Sequence, residues 1–531
     1  MEMKNKFKYI LFSSVLALGT LTSCNDFLDK MPDNRTTVDT EDKVKELLVS
    51  AYFNHDYNYF TEVSSDNVDE YQNDYTIRFI DQLYKWEDPT ETNNESPESY
   101  WETAYSAIAA ANTALEGIDN LGGATSTTLK ECKGEALLCR AYAHFMLVNI
   151  FCKNYNTATS GEDLGVYYQY NTGSEIGTAH DRGTVAEVYE KIDKDIQEAL
   201  PLIGDSHYDT PKYHFNKKAA YAFATRFYLY YEKWDKAIEY ANLCLGSDPK
   251  SLLRDWSDVG NMTATYAIRS EHYVSSELNC NLLLSTGYSN AGLAFGPYTT
   301  WKKYAHGPYL SSNEDASAQN IWGSGTSWFY DPPREYPGTT YSFTIFWRVP
   351  YMFQYTDAVA GIGYRKSIFP LFTTDETLLN RAEAYVMKNQ YDKASSDLTM
   401  WMQNITKSKL TLDPDTITKF YNSVKYSYSD SLGLESTVKK HLNPAFTIDK
   451  EGSTQEAMLQ CVLGFRRIET MHNGLRWFDI KRYGIEFPRR TMSADGVPLK
   501  KTDFLGKDDP RRAIQLPSKV LDAGVTPNPR N

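Results

Sequence analysis

The sequence predicts a mainly α fold: a scaffold of divergent tetratricopeptide-like helical hairpins that carries a large, irregular, loop-rich part. Three observations predict it. Long segments place apolar residues at three- and four-residue steps, with small residues among the large ones. A helix–turn–helix pattern occurs twice. Between the two copies lies a ring-rich stretch with little helical period.

Taken from the N-terminus, Lys4, Lys6 and Lys8 precede an apolar run, Tyr9 to Leu21. That run is shorter than the roughly 20 residues that span a bilayer, and has the size of a signal-peptide apolar region. It ends at Leu21-Thr22-Ser23-Cys24, which looks like a bacterial lipobox. The expectation is a signal peptide over 1–23, cleavage before Cys24, and lipidation of its thiol. The competing reading is a buried cysteine at the start of the first domain. Acyl chains contribute about 0.8 kcal/mol per buried CH₂, so several would anchor the chain stably. Removal of Glu2 and the three lysines takes the formal charge from −14 to −16. A chain this acidic, with no basic tract, lacks the electrostatic footprint of a nucleic-acid binder. Its net charge is also repelled by anionic lipid, which leaves the acyl anchor to hold it. Six cysteines remain, at 132, 139, 152, 244, 280 and 461. Their spacings match no zinc pattern, and buried, mostly unbridged thiols are expected.

Residues 100–118, YWETAYSAIAAANTALEGI, carry Trp101, Tyr105, Ile108, Asn112 and Leu115 on one helical stripe. LGGATSTT (121–128) punctuates it, and a second helix is expected from Leu129 to about Phe151. A third is expected from Thr184 to Leu200. The repeat follows: ATRFYLYYEKWDKAIEYANLCL (224–245) and RAEAYVMKNQYDKASSDLTMWM (381–402) share an aromatic-Asp-Lys-Ala quartet. An aromatic turn residue between helices with small residues is the tetratricopeptide arrangement. Such units need neighbours to bury their faces, so further divergent copies are expected.

Aromatic residues make 14% of the chain, 40 of them tyrosines. From Tyr288 to Trp347 they number 15 in 60 residues, amid Gly, Ser, Pro and Asn. That composition reads as long loops and short strands with exposed rings. A second irregular region is expected over Asp413 to Pro444. GFRRIETMHNGLRWFDIKRYG (464–484) then alternates apolar and basic residues at helical spacing.

At this point the motifs resemble those of the SusD/RagB family of Bacteroidetes outer-membrane lipoproteins, over nearly the whole chain. The resemblance rests on CNDFLDKMP after the lipobox, GEALLCRAYAHFMLV (134–148), DETLLNRAEAY (375–385), FRRIETMHNGLRWFDIKRYG and the ending AIQLPSKVLDAGVTPNPRN. It implies one SusD-like domain over 24–531: helical-repeat scaffold at about 40–270 and 367–410, aromatic insertion at about 271–366, and a C-terminal part, 411–531. It also implies a lipid-anchored place on the outer face of the outer membrane. There the protein would capture a glycan and deliver it to a SusC-like TonB-dependent transporter. The alternative is a peptide-capturing or purely structural lid on such a transporter.

No catalytic signature stands out: H-E-x-x-H, G-x-S-x-G, the P-loop and G-x-G-x-x-G are absent. Neither enzyme activity, a cofactor nor a metal is expected. A binder of neutral glycan needs ring faces for sugar C–H groups, and fixed donors and acceptors for hydroxyls. Tyr288, Tyr298, Trp301, Trp322, Trp328 and Tyr330 have that context, with Asn290, Asn313 and Asn320 nearby. Some of these rings are equally suited to pinning loops, whereas Phe343, Phe346 and Trp347 read as core. Family members contribute ligand contacts from the N-terminal part, which adds Asp66 and Trp86; capping and loop packing are their plain alternatives. The acids Asp66, Asp69, Glu70 and Asp74 lack EF-hand order and read as a solvated face. Arg466, Arg467, Arg476, Lys481 and Arg482 read as ties between the C-terminal helix and the scaffold, with Trp477 and Phe478 buried beside them.

Overall fold

Local chemistry sets where each scaffold helix starts. The Ser96 hydroxyl accepts from the Ser99 amide and Pro97 fills the first turn, so α1 runs Pro97–Asn120. Ser126 caps α2, Thr127–Phe151, in the same way. Thr184 and Glu187 form a capping box at the start of α3, Val185–Ala199. The computed structural model describes residues 38–73, 76–172, 180–206, 208, 210–336 and 343–530. Cys24 with its expected lipidation and Asp74 lie outside them. Among the described residues, no helix is long and apolar enough to cross a membrane.

The α2 helix is buried on nearly all its faces because α1 and α3 pack on either side. Arg140 on α2 ties them: it makes two 2.7 Å bonds to Asp195 on α3 and one of 2.9 Å to Asn112 on α1. Gly134 lets the end of α3 approach, since a Cβ there would meet the Ile203 amide at 2.8 Å. The two repeat copies are helical hairpins as expected. The first pairs α4, Lys217–Tyr230, with α5, Trp234–Leu245. The second pairs α6, Thr374–Met387, with α7, Tyr391–Ile405. Arg226 on α4 bonds Glu376 on α6 at 2.7 Å, and Arg381 on α6 bonds Asp397 on α7 at 2.7 Å. The first pair links the two hairpins, and the second fastens α6 to α7 within one of them.

Two regions depart from expectation. A ten-residue helix, α8, Pro414–Ser423, opens the segment expected to be irregular, with Asp413 as its cap and Pro414 in its first turn. The aromatic insertion contains a three-stranded antiparallel sheet: β1, Asn281–Tyr288, and β2, Met352–Asp357, flank β3, Ile362–Thr373. At twelve residues β3 is longer than the short strands expected, and it continues straight into α6. A second sheet orders Tyr304–Ala305, Asp69–Glu70, Phe487–Met492 and Pro498–Leu505, so it joins N-terminal, insertion and C-terminal segments.

The C-terminal part closes the molecule through α9, Thr454–Glu469, and α10, Arg476–Arg482. Its basic residues are buried ties, as expected. Arg466 meets Asp479 and Glu383, Arg482 meets Glu383 at 2.6 Å, and the Lys481 ammonium caps the Asn149 and Cys152 carbonyls. Trp477 and Phe478 are buried with them. All six cysteine residues after position 24 are buried.

Candidate functional site

The eight ring and carboxylate positions singled out from sequence separate into core and surface. Asp66 is buried, and both its oxygens accept from Arg476 at 2.8 Å, with Arg467 at 3.7 Å. Burial would raise its carboxyl, but the two guanidiniums outweigh this and hold it far below the usual range. Asp66 is thus an internal counter-ion without a face for a ligand. Asp69 is likewise buried, against Arg490 at 2.8 Å, so this acidic stretch is not the solvated face expected. Trp86 is buried too; its indole N–H donates to the Ser64 carbonyl at 2.9 Å, and the Arg489 guanidinium lies 4.3 Å from its ring. Trp322 packs on Phe465 and Trp401 at 5.4 and 6.5 Å. Trp301 packs edge-on to Tyr59. These four side chains are not exposed rings or carboxylates, because each is enclosed by core partners. Phe343, Phe346 and Trp347 are core, as expected.

The remaining four reach the surface in three groups of contacts. Tyr298 belongs to the first. Four half-buried tyrosines, 298, 309, 336 and 351, stand on a buried base that includes Tyr71, Tyr266, Phe343 and Trp347. Tyr298 and Tyr351 meet at 5.5 Å and 60°, and Tyr336 stacks flat on Phe343 at 5.5 Å. Gly292 makes room for this geometry: a Cβ there would sit 2.7 Å from the Tyr351 Cα. Tyr309 is fixed by the Arg490 guanidinium at 4.8 Å from its ring and by its own bond to the Leu434 carbonyl.

Charged and amide groups stand on the segments that carry or adjoin the tyrosines. Arg334, exposed on the strand Arg334–Tyr336, extends over the Trp347 ring at 5.9 Å. Lys303 pairs with Asp81 at 2.8 Å, and Asn73 donates to the Thr299 carbonyl at 3.2 Å. Partial burial alone would raise the Asp81 carboxyl; hydrogen bonds from Lys303, Lys85 and Tyr304 instead hold it at about 2. Half-buried ring faces, with polar side chains on neighbouring segments, can stack on sugar C–H faces and bond hydroxyls.

Tyr288 belongs to a second group at the end of β1, 4.4 Å from Tyr364 and 5.3 Å from His55. Beside it, Arg365 donates to Asn290 at 2.9 Å. Trp328 and Tyr330 form a third. The segment carrying them is pinned to the end of α7 by the Lys407 amide bond to the Trp328 carbonyl and the Tyr330 amide bond to the Ile405 carbonyl. Tyr330 faces a cleft of about 650 Å³ lined by Ser257, Thr399, Gln403 and Asn404. Sequence reasoning missed Tyr309, Tyr336, Tyr351, Tyr364 and Arg334. All lie in or beside the ring-dense stretch, but ring density cannot tell a half-buried ring from a core one. Among the described residues, no three His, Cys, Asp or Glu side chains converge to hold a metal ion.

Two family models match the chain. Residues 26–229 match one described as starch-binding, associating with the outer membrane, and residues 294–513 match the SusD family. This chain belongs to the SusD/RagB family. Solved SusD-like structures carry the same fold. A putative sugar-binding protein from Bacteroides vulgatus superposes with a TM-score of 0.64 at 18% identity, covering 93% of this chain and 99% of its own. A SusD superfamily protein from Bacteroides thetaiotaomicron gives 0.62 at 17%, covering 92% and 100%. A laminarin-binding SusD-like protein gives 0.52 at 15%, covering 92% and 99%. A search of the curated proteins finds no match. The SusD-like fold places the aromatic insertion beside segments from both ends of the chain, which is how Tyr298, Tyr351 and Asn73 come together.

Proposed function

We propose that this protein is a cell-surface glycan-binding lipoprotein, tethered through Cys24, that captures oligosaccharide or polysaccharide for a SusC-like TonB-dependent transporter. The observation that carries the reading is the group of half-buried tyrosines at 298, 309, 336 and 351, held on a rigid aromatic base. Rings fixed in advance lose little conformational entropy on stacking, so weak C–H contacts add up. Family membership supports the surface and transporter parts, and a SusD-like relative of the same fold is described as laminarin-binding. Binding alone accounts for the site, and no catalytic step is assigned to it.

Affinity electrophoresis against a panel of neutral glycans tests this. At least one glycan should retard the protein, and Tyr298→Ala with Tyr351→Ala should abolish the retardation while the circular dichroism spectrum is unchanged. Undiminished retardation in that double variant would remove the tyrosine group from the site. Retention of a peptide, with no response to any glycan, would favour the peptide-capturing lid.

A further inference from the structure

The β2–β3 hairpin stands open to solvent. Every residue of β2 is exposed, and Met352, Phe353, Tyr355, Val359 and Ile362 bring five large apolar side chains to solvent within eleven residues. Val359 at the tip is fully exposed, and Ile362 and Tyr355 are 60% and 59% exposed. The glycan site makes no use of this tip.

Its side chains are ordered along the hairpin axis. Ala358, Val359, Ala360 and Ile362 form an aliphatic tip. Tyr355 opposite Gly363 and Gln354 opposite Tyr364 form the next level, with the Phe353 ring 4.9 Å from Tyr355. Gly363 leaves the space that Phe353 occupies, since a Cβ would meet its ring at 2.8 Å. Phe353 opposite Arg365 and Met352 opposite Lys366 form the base. At about 3.3 Å per residue, Ile362 to Arg365 spans about 10 Å. Aliphatic tip, aromatic collar and basic base follow the polarity gradient from acyl chains to headgroups.

The turn is also prepared for a poorly hydrated setting. The Asp357 carboxylate accepts from the Val359 and Ala360 amides at 2.9 Å, and the Thr356 hydroxyl donates to the Ile362 carbonyl at 3.2 Å. The free edge of β2 limits the depth, because open strand edges are not tolerated within hydrocarbon. Interfacial insertion of about 5–10 Å meets both conditions. With Arg365 and Lys366 against Asp357, the hairpin is locally positive although the chain carries −14 overall. Screening over a Debye length of about 8–10 Å lets the local sign dominate at contact.

We infer that the β2–β3 hairpin is a lipid-docking element that seats its aliphatic tip in the headgroup region of a bilayer. This rests on the reading of the protein as membrane-tethered; the hairpin then orients the body on its tether. The occupant is lipid because aliphatic side chains lead at the tip and a net positive base follows, the order of acyl chains and anionic headgroups.

The test uses the full acylated chain in vesicles of phosphatidylglycerol and phosphatidylcholine, with a polarity-sensitive dye on Val359→Cys. Its emission should shift to the blue, be quenched by nitroxide-bearing lipid, and return to the aqueous value with Tyr355→Asp and Ile362→Asp. Arg365→Gln with Lys366→Gln should reduce the shift on anionic vesicles and leave it unchanged on purely zwitterionic ones. Aqueous emission from protein that floats with the vesicles would overturn the hairpin's role and leave the tether standing. Protein that does not float would overturn the tether and the hairpin together. A blue shift without lipid that grows with protein concentration would replace lipid by a second copy of the chain.

Discussion

Trp322 and Trp328 lie six residues apart and differ in what their removal would report. Trp322 fills a core niche against Trp401 and Phe465, while Trp328 is 36% exposed on a short turn. Trp322→Ala should cost about 3–5 kcal/mol of stability in urea unfolding, and Trp328→Ala less than half of that. Equal losses would contradict the packing described. Asp66→Ala should cost a similar 3–5 kcal/mol, because it strands Arg476 without its bidentate partner in the interior. Lost glycan binding in Trp322 or Asp66 variants is therefore a symptom of unfolding, and only substitutions at half-exposed rings such as Tyr298 read the site itself.

The stacked hairpins depend on buried ion pairs between elements. Arg381 on α6 holds Asp397 on α7 through two bonds and reaches Asn242 on α5. Taking two charges from water costs more than their attraction returns, unless both partners stay paired. Arg381→Met alone should destabilise by about 3–5 kcal/mol, while adding Asp397→Leu should restore most of that loss. A double variant no more stable than the single one would show that the pair stabilises by more than mutual neutralisation. Sequence periodicity found these helices because their apolar stripes recur every three to four residues. It missed α8, whose Asp413-Pro414 start is a sound helix signal that the Ser- and Tyr-rich sequence after it obscured. It also missed the length of β3, where an exposed half runs into a buried half and the period-2 pattern never forms.

At the scale of the whole molecule, Glu314 joins the aromatic insertion to the C-terminal part. It accepts from Arg467 at 2.6 Å, Lys440 at 2.7 Å and Arg490 at 3.2 Å. Burial raises its carboxyl, but the three cations outweigh burial and hold it well below the usual range. A carboxyl depressed by folding binds its proton more readily in the unfolded chain. Its stabilisation is therefore complete above the unfolded value of about 4.3 and fades as pH falls toward the folded one. The stability gap between the native protein and Glu314→Gln should be widest near neutral pH and close progressively below about pH 5. Denaturant titrations at a series of pH values would show it, and a pH-independent gap would refute the assignment. The same network places the tyrosine group, since Arg490 contacts Glu314, Asp69 and the Tyr309 ring together.

The sequence by itself determined the helical scaffold, both repeat hairpins and the family. Those features are local or periodic: caps, stripes and motif spacings are set by neighbours along the chain. It also marked the ring-rich stretch as the place to look for a site. Only the tertiary structure decided which rings remain accessible. Trp301, Trp322 and Trp86 meet partners 242, 79 and 403 residues away, in Tyr59, Trp401 and Arg489. Contacts at such separations leave no trace in local composition, and a buried tryptophan and a ligand-facing one look the same until the chain closes around them.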